Sequence, residues 1–324
     1  MSNALVPVRR DLAERALDAE RLIERWKEGR SPQTLRAYLG DLAHFAGWFG
    51  GEQGPGAAID TLLRSGQGQA NETAREYRSA MVDIKLAPNT INRRLSALRS
   101  LVSLGKEFGY VAWDLSIKNV GSEKYRDTRG PGTANINLML GVANSHANLS
   151  KAARDVAIIM LLFGAGLRRA ELCELDMEHL DIRGTRLSIK GKGRREREWV
   201  TLSPPVLRDI KGWVAKRGRH PGALFTTFWP RSKGTSRLTG DGVHDLLKRI
   251  GDACDPPVDV RPHGLRHSGI TVALDSTNGN VRAARKFSRH RSVETLLKYD
   301  DNRADLAGEV AIQVAAALEK DHAR

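Results

Sequence analysis

Six side chains of the kinds that serve phosphoryl chemistry are scattered through this 324-residue chain: Arg168, Lys192, His263, Arg266, His290 and Tyr299. Arg168 stands in GAGLRRAEL, Lys192 in IKGKGRRERE, His263 and Arg266 in RPHGLRHSG, and the last two in HRSVETLLKYDD, where Tyr299 is the only tyrosine after Tyr125. Attack on a phosphodiester builds negative charge on the non-bridging oxygens, and preorganised cations stabilise that charge. Arginine suits the task because its fork matches two phosphate oxygens. A phenol, with a pKa of about 10, is a poor nucleophile while neutral and needs a base or cationic surroundings. The departing oxygen needs a proton, which a lysine or a histidine can donate. Two arginines, a lysine, two histidines and a tyrosine can therefore cleave a nucleic-acid strand with no metal. Each has an ordinary explanation on its own, since arginines are mostly weak surface ion pairs and hairpin lysines mostly solvated. The set is what makes chemical sense.

These residues need elements to position them. KAARDVAIIMLLFG predicts a strongly apolar helix, and the Gly164–Gly166 turn leads from it into a second helix bearing Arg168. Glu171, three residues on, can reach back along that helix to hold an arginine. In TRLSIKGKGRREREWVTL the period changes to two, with Leu187, Ile189, Val200 and Leu202 alternating with polar residues, so Lys192 lies at the tip of a hairpin. His263 and Arg266, three apart, share one side of a helix. LTGDGVHDLLKRIG is again helical.

The first 118 residues read as mostly helical. Ser31-Pro32 starts a helix, with serine as cap and proline at the first position, and Leu35, Tyr38, Leu39, Leu42, Phe45 and Phe49 recur along it. GGEQGPGAA breaks the chain. NETAREYRSAMVDIKL and APNTINRRLSALRSLVSLGKEFG predict two more helices, the latter stopped by Gly109. On the last, Ile91, Leu95, Leu98 and Val102 form an apolar stripe. Asn92, Ser96, Arg99 and Ser103 form another, with Arg93 and Arg94 nearby and no acid before Glu107. Such a face suits a DNA groove and its phosphates; a solvated surface is the plainer alternative.

Composition points the same way. Lys+Arg number 52 against 38 Asp+Glu, a net charge of +14. That excess attracts polyanions, nucleic acid first and an anionic membrane surface second. No apolar run reaches the ~20 residues of a spanning helix, and the first residues lack an apolar signal core. Cys173 and Cys254 form neither a disulfide framework nor a metal-ligand spacing, so a reducing, cytoplasmic compartment is expected. No Gly-rich loop ending in Lys-Ser/Thr is present, which argues against ATP use. The stretch NVGSEKYRDTRGPGTAN is rich in glycine and charge and marks a domain boundary.

The order Arg…Lys…His-x-x-Arg…His…Tyr resembles the tyrosine recombinases, the phage-integrase-like site-specific DNA recombinases. RDVAIIMLLFGAGLRRAELCEL resembles their first arginine box, KGKGRRERE their lysine hairpin, PHGLRHSGITVAL their His-x-x-Arg box and SRHRSVETLLKYDD their histidine–tyrosine box. SPQTLRAYLGDLAHFAGW and PNTINRRLSALRSL resemble their helical core-DNA-binding domain, so the likeness covers nearly the whole chain. One departure stands out: the family usually has Leu-Gly before the second histidine, where this chain has Ser288-Arg289.

The resemblance implies a mainly α protein shaped as a C-shaped clamp. Its parts would be a helical core-DNA-binding domain at 1–120, a linker at 121–134 and an α-rich catalytic domain at 135–324 with a small antiparallel β-sheet. Arg168 and Arg266 would clamp the scissile phosphate. Lys192 would protonate the leaving 5′-hydroxyl, and His263 would assist proton transfer with the nucleophile. His290 would hydrogen-bond the phosphate, and Tyr299 would form a 3′-phosphotyrosyl bond that conserves the energy of the broken one. No metal or other cofactor is then needed. Asn92, Arg93, Arg94, Ser96, Arg99 and Arg289 are the expected DNA contacts. The partners are a double-stranded recombination site, a dimer on each site and a homotetramer across two, with room for an accessory or partner recombinase and no membrane. The protein would work at the nucleoid in the cytoplasm. A helix at 304–320 would be donated to a neighbouring subunit. If about eight phosphates are neutralised, log affinity falls with log salt at a slope near −7. No separate arm-binding domain is expected ahead of the core-binding helices. Rival readings are a type IB topoisomerase or telomere resolvase with the same active-site chemistry, and a non-catalytic DNA-binding protein on the same fold.

Overall fold

The computed structural model describes residues 18–50, 54–121, 130–191, 196–228, 236–290, 292–300, 308, 311 and 312. The chain divides into two compact units, Met1–Tyr125 and Arg126–Arg324.

The first unit holds five described helices: α1 (Ala19–Lys27), α2 (Pro32–Trp48), α3 (Pro55–Arg64), α4 (Gly66–Asp83) and α5 (Pro88–Glu107). The Ser31 side chain accepts from the Thr34 N–H at 3.2 Å with Pro32 at the first helical position, as the cap reading predicts. Gly109, at φ 75°, ends α5 by donating to the Lys106 carbonyl at 3.0 Å. Ile91, Leu95, Leu98 and Val102 of α5 are all buried, and they meet Leu42 and Phe45 of α2 and Tyr77 of α4 in one core. Leu39 is 37% exposed, so it stands off the α2 core face. The break at GGEQGPGAA separates α2 from α3, and Pro55 within it opens α3 with proline in the first turn.

The second unit comprises α6 (Gly132–Asn144), α7 (Leu149–Gly164), α8 (Arg169–Cys173), β1 (Leu180–Asp181), β2 (Arg186–Lys190), β3 (Arg197–Thr201), α9 (Pro204–Arg217), α10 (Gly240–Asp252), α11 (Pro262–Asp275), α12 (Val281–Ser288) and α13 (Glu294–Asp300). The three strands form an antiparallel sheet in the order β1-β2-β3, with Leu187 opposite Val200 and Ile189 opposite Glu198. Leu187 and Ile189 are buried, which confirms the hairpin's inward face.

α7 is the axis of this unit. Its Ile158, Ile159, Leu161 and Leu162 are buried, and α6, α9 and α11 pack around it. α11 comes so close that a Cβ on Gly269 would lie 2.2 Å from the Phe163 carbonyl oxygen. Glycine is therefore required where α11 meets the end of α7, and that contact sets Arg266, one turn earlier, beside the turn after α7. A smaller cluster of Ile270, Leu274, Ala284 and Leu296 ties α11, α12 and α13 together. Among the described residues, no helix is long and apolar enough to cross a membrane.

Candidate active site

Arg168 is the residue that caps α8. Its backbone N–H donates to Glu171 Oε2 at 2.9 Å and its Nη1 to Glu171 Oε1 at 2.5 Å. Glu171 thus reaches back as the three-residue spacing predicts. It is 3% exposed, and its two oxygens fix both the backbone and the fork of Arg168. Burial alone would raise the Glu171 pKa, but Arg289 and Arg168 together outweigh it, and the carboxyl lies below its ordinary range.

Arg266 is fully buried on α11. Its Nη1 donates to the Gly166 carbonyl and its Nη2 to the Ser288 carbonyl, so it joins the turn after α7 to the end of α12. Arg168 Nη2 donates to the next carbonyl along, that of Arg289, at 3.2 Å. The two arginines therefore hold consecutive carbonyls of one short segment, which leads directly to His290. Gly166, at φ 56°, is confined by the Phe287 ring: a Cβ there would sit 2.9 Å from Cε1.

His290 feels the whole group. Burial, and after it the fields of Arg266, Arg168, His263 and Arg289, push its pKa down from 6.5 to about 4. Near neutral pH its ring is therefore uncharged, able to donate a hydrogen bond without adding a fourth cation. His263 packs its ring against His267, one turn on, with centroids 4.2 Å apart. Four side chains from three separate places in the sequence, Arg168, His263 with Arg266, and His290, are thus brought together. Tyr299 belongs to α13, which Leu296 docks against α11 and α12. Lys192 lies outside the described residues, in the connection between β2, which ends at Lys190, and β3, which begins at Arg197. The helix expected at 304–320 also lies outside them, apart from the helical residues 308, 311 and 312.

Arg289 is not where its expected contact with DNA would require it. Its side chain is only 7% exposed and points inward. Nη1 donates to the carbonyls of Ala165 (3.1 Å) and Phe287 (2.9 Å), and Nη2 to Gly166 O (2.7 Å) and Glu171 Oε2 (3.2 Å). The physical reason is a buried acid and three carbonyls that need donors. The backbone there is left-handed, at φ 58°, a conformation that costs a non-glycine residue about 1 kcal/mol or more.

The polar face of α5 also turns out to be engaged within its own unit. Asn92 donates to the Val120 carbonyl at 3.0 Å and accepts its N–H at 2.8 Å, a two-bond clasp on a neighbouring segment. Ser96 bonds back to the Asn92 carbonyl at 2.8 Å. Arg99 pairs with the Asn119 side chain. Arg93 bonds the Ala37 carbonyl and the buried Asp41, and Arg94 lies 3.6 Å from Asp41 and donates to His44 Nε2 at 2.8 Å. The missing acid of α5 is supplied by α2, a partner that a reading of α5 alone does not reveal. Arg93 is the more available of the two arginines that face Asp41, with 41% of its side chain exposed against 16% for Arg94. Asn92→Ala is accordingly expected to destabilise the protein by about 1–3 kcal/mol in a denaturant titration, because it leaves both Val120 groups without partners. Unchanged stability with weakened DNA binding would return Asn92 to the DNA contacts.

Residues 134–305 match the phage integrase family and residues 23–104 its N-terminal SAM-like domain. The chain belongs to the phage integrase family of tyrosine recombinases. A tyrosine recombinase of Synechococcus elongatus is 38% identical over 90% of this chain and 92% of its own. Another from Synechocystis is 34% identical over 87% and 90%. In three dimensions the chain is similar to the Tn1549 transposon integrase in complex with transposon right end DNA, with a TM-score of 0.67, 15% identity and coverage of 94% of this chain and 100% of that one. It is also similar to the XerH recombinase bound to palindromic difH substrate, with a TM-score of 0.65, 18% identity and coverage of 91% and 84%. At such identities these likenesses speak for the fold.

Proposed function

We propose that this protein is a site-specific recombinase that cleaves and rejoins duplex DNA through a 3′-phosphotyrosyl intermediate and a Holliday junction. The observation that carries the reading is that Arg168 and Arg266 bond the consecutive carbonyls of Arg289 and Ser288, directly before His290, whose ring also feels the field of His263. Three elements that are far apart in sequence present two guanidinium groups and two imidazoles to one place, and a phosphodiester is the anion that such a group fits.

In the proposed reaction Arg168 and Arg266 bind the non-bridging oxygens and stabilise the charge that grows on them. His290, neutral beforehand, donates a hydrogen bond to the same phosphate. The Tyr299 phenol attacks phosphorus in line and loses its proton with the help of His263. Lys192 gives a proton to the leaving 5′-oxygen. One P–O bond forms and one breaks, so the energy of the ester is retained and rejoining is the same reaction in reverse, with a new 5′-hydroxyl as nucleophile. Duplex DNA carrying a recombination site is the substrate. Pairing of subunits on each site, with a tetramer across two, would give the strand exchange its symmetry. The family membership and the close relatives named tyrosine recombinases support this reading over a topoisomerase or resolvase.

The test is a nicked suicide substrate, from which the short fragment diffuses away after cleavage. The expected result is a protein–DNA adduct that survives a denaturing gel and forms in the presence of a chelator. DNA binding with no adduct would leave a non-catalytic DNA-binding protein instead.

A further inference from the structure

Arg289 lies behind Arg168 and is bonded to it by two routes. Its carbonyl accepts from Arg168 Nη2 at 3.2 Å, and its guanidinium shares Glu171 with Arg168, at 3.2 Å from Oε2. It also shares the Gly166 carbonyl with Arg266. One side chain therefore touches the turn at Ala165–Gly166, the acid Glu171 and the end of α12, the segments from which the two arginines are held.

The charges matter as much as the bonds. A buried carboxylate facing a single arginine would neutralise most of that arginine's field. Glu171 faces two, so these three side chains together keep one positive charge in excess, in surroundings where water screens little. A second acid, Glu198 of β3, stands 3.9 Å from Arg289 Nε, beyond hydrogen-bond distance and more exposed than Glu171. Its ion pair is with Arg289.

We propose that Arg289 is a positioning residue for strand cleavage: it fixes Arg168 in place and offsets Glu171, leaving the charge of Arg168 available to the phosphate in the transition state. This rests on the recombinase reading above. It assigns Arg289 a role in the rate of cleavage and none in holding DNA.

The experiment compares wild type, Arg289→Met, which keeps the stem without the charge, and Arg289→Lys, which keeps the charge without the fork. Adduct formation is followed in single turnover on two nicked substrates. One has an ordinary scissile phosphate, and the other an uncharged methylphosphonate at that position. Arg289→Met is expected to bind DNA as wild type does and to form adduct about 10- to 100-fold more slowly on the phosphodiester. Its deficit on the methylphosphonate should be much smaller, since less charge develops there, and Arg289→Lys should recover part of the rate. Equal rates for all three proteins would overturn the inference. So would the same fold-loss on both substrates, which would mark a packing role, or lost affinity at an unchanged rate, which would mark a DNA contact. If Arg289→Met fails to fold by circular dichroism, Arg289→Lys decides, through a slower rate at unchanged affinity or its absence. Failure of the wild-type protein to form adduct would sink the recombinase reading and this inference with it. A wild-type adduct with no effect at Arg289 sinks this inference alone.

Discussion

Tyr299→Phe is expected to abolish the covalent adduct on a suicide substrate, with DNA affinity held within about twofold of wild type. The substitution removes one oxygen and keeps the ring, so α13 retains its docking through Leu296 onto α11 and α12. The loss should be complete rather than partial, because no other group in the proposed mechanism can form the phosphoester bond. The readout is a denaturing gel for the adduct alongside a native gel for binding. An adduct that persists in the variant moves the nucleophile to another residue. Loss of binding together with the adduct would mean that the tyrosine supports the fold or holds DNA.

Arg266→Ala carries the second largest expected effect, a fall of about 10²- to 10³-fold in the single-turnover rate of adduct formation. Arg266 is buried, and it joins Gly166 to Ser288. Removing it takes away a phosphate ligand of the proposed mechanism and also releases the two segments that set Arg168 and His290. Arg266→Lys restores a charge but cannot bond both carbonyls at once, so it should recover only a minor part of the rate. Thermal denaturation of both variants separates the two effects. A variant that melts like wild type and still loses the rate places Arg266 in the chemistry. A large loss of stability with the residual rate per folded molecule unchanged would assign it to the fold alone.

Much of this site is legible in the residue order. Period and capping give α2, α5, α7 and the hairpin, and the three-residue spacing from Arg168 to Glu171 foretells their ion pair. What the sequence hides is direction. Arg289 reads as a charge beside the phosphate, yet it turns inward to a carboxylate more than a hundred residues earlier and to three carbonyls, none of which local pattern reveals. The basic face of α5 is hidden in the same way: its lack of acids is a fact about one helix, and Asp41 arrives from α2. Helices opened by proline are the other loss. Pro55 and Pro204 stand in the first turns of α3 and α9, where a proline next to glycine or another proline looks like an interruption. α6 begins directly after Pro131 in a Gly-rich stretch that reads as a bridge.

The account depends on one spatial claim, that Arg168, His263, Arg266 and His290 surround a phosphate within reach of the phenol on α13. Peptide mapping of the trapped adduct tests it most directly. After proteolysis, mass spectrometry should find the nucleotide on the peptide that contains Tyr299, joined through the 3′-phosphate of the cleaved strand. A nucleotide linked through its 5′-phosphate, or attached to any other residue, would contradict the account.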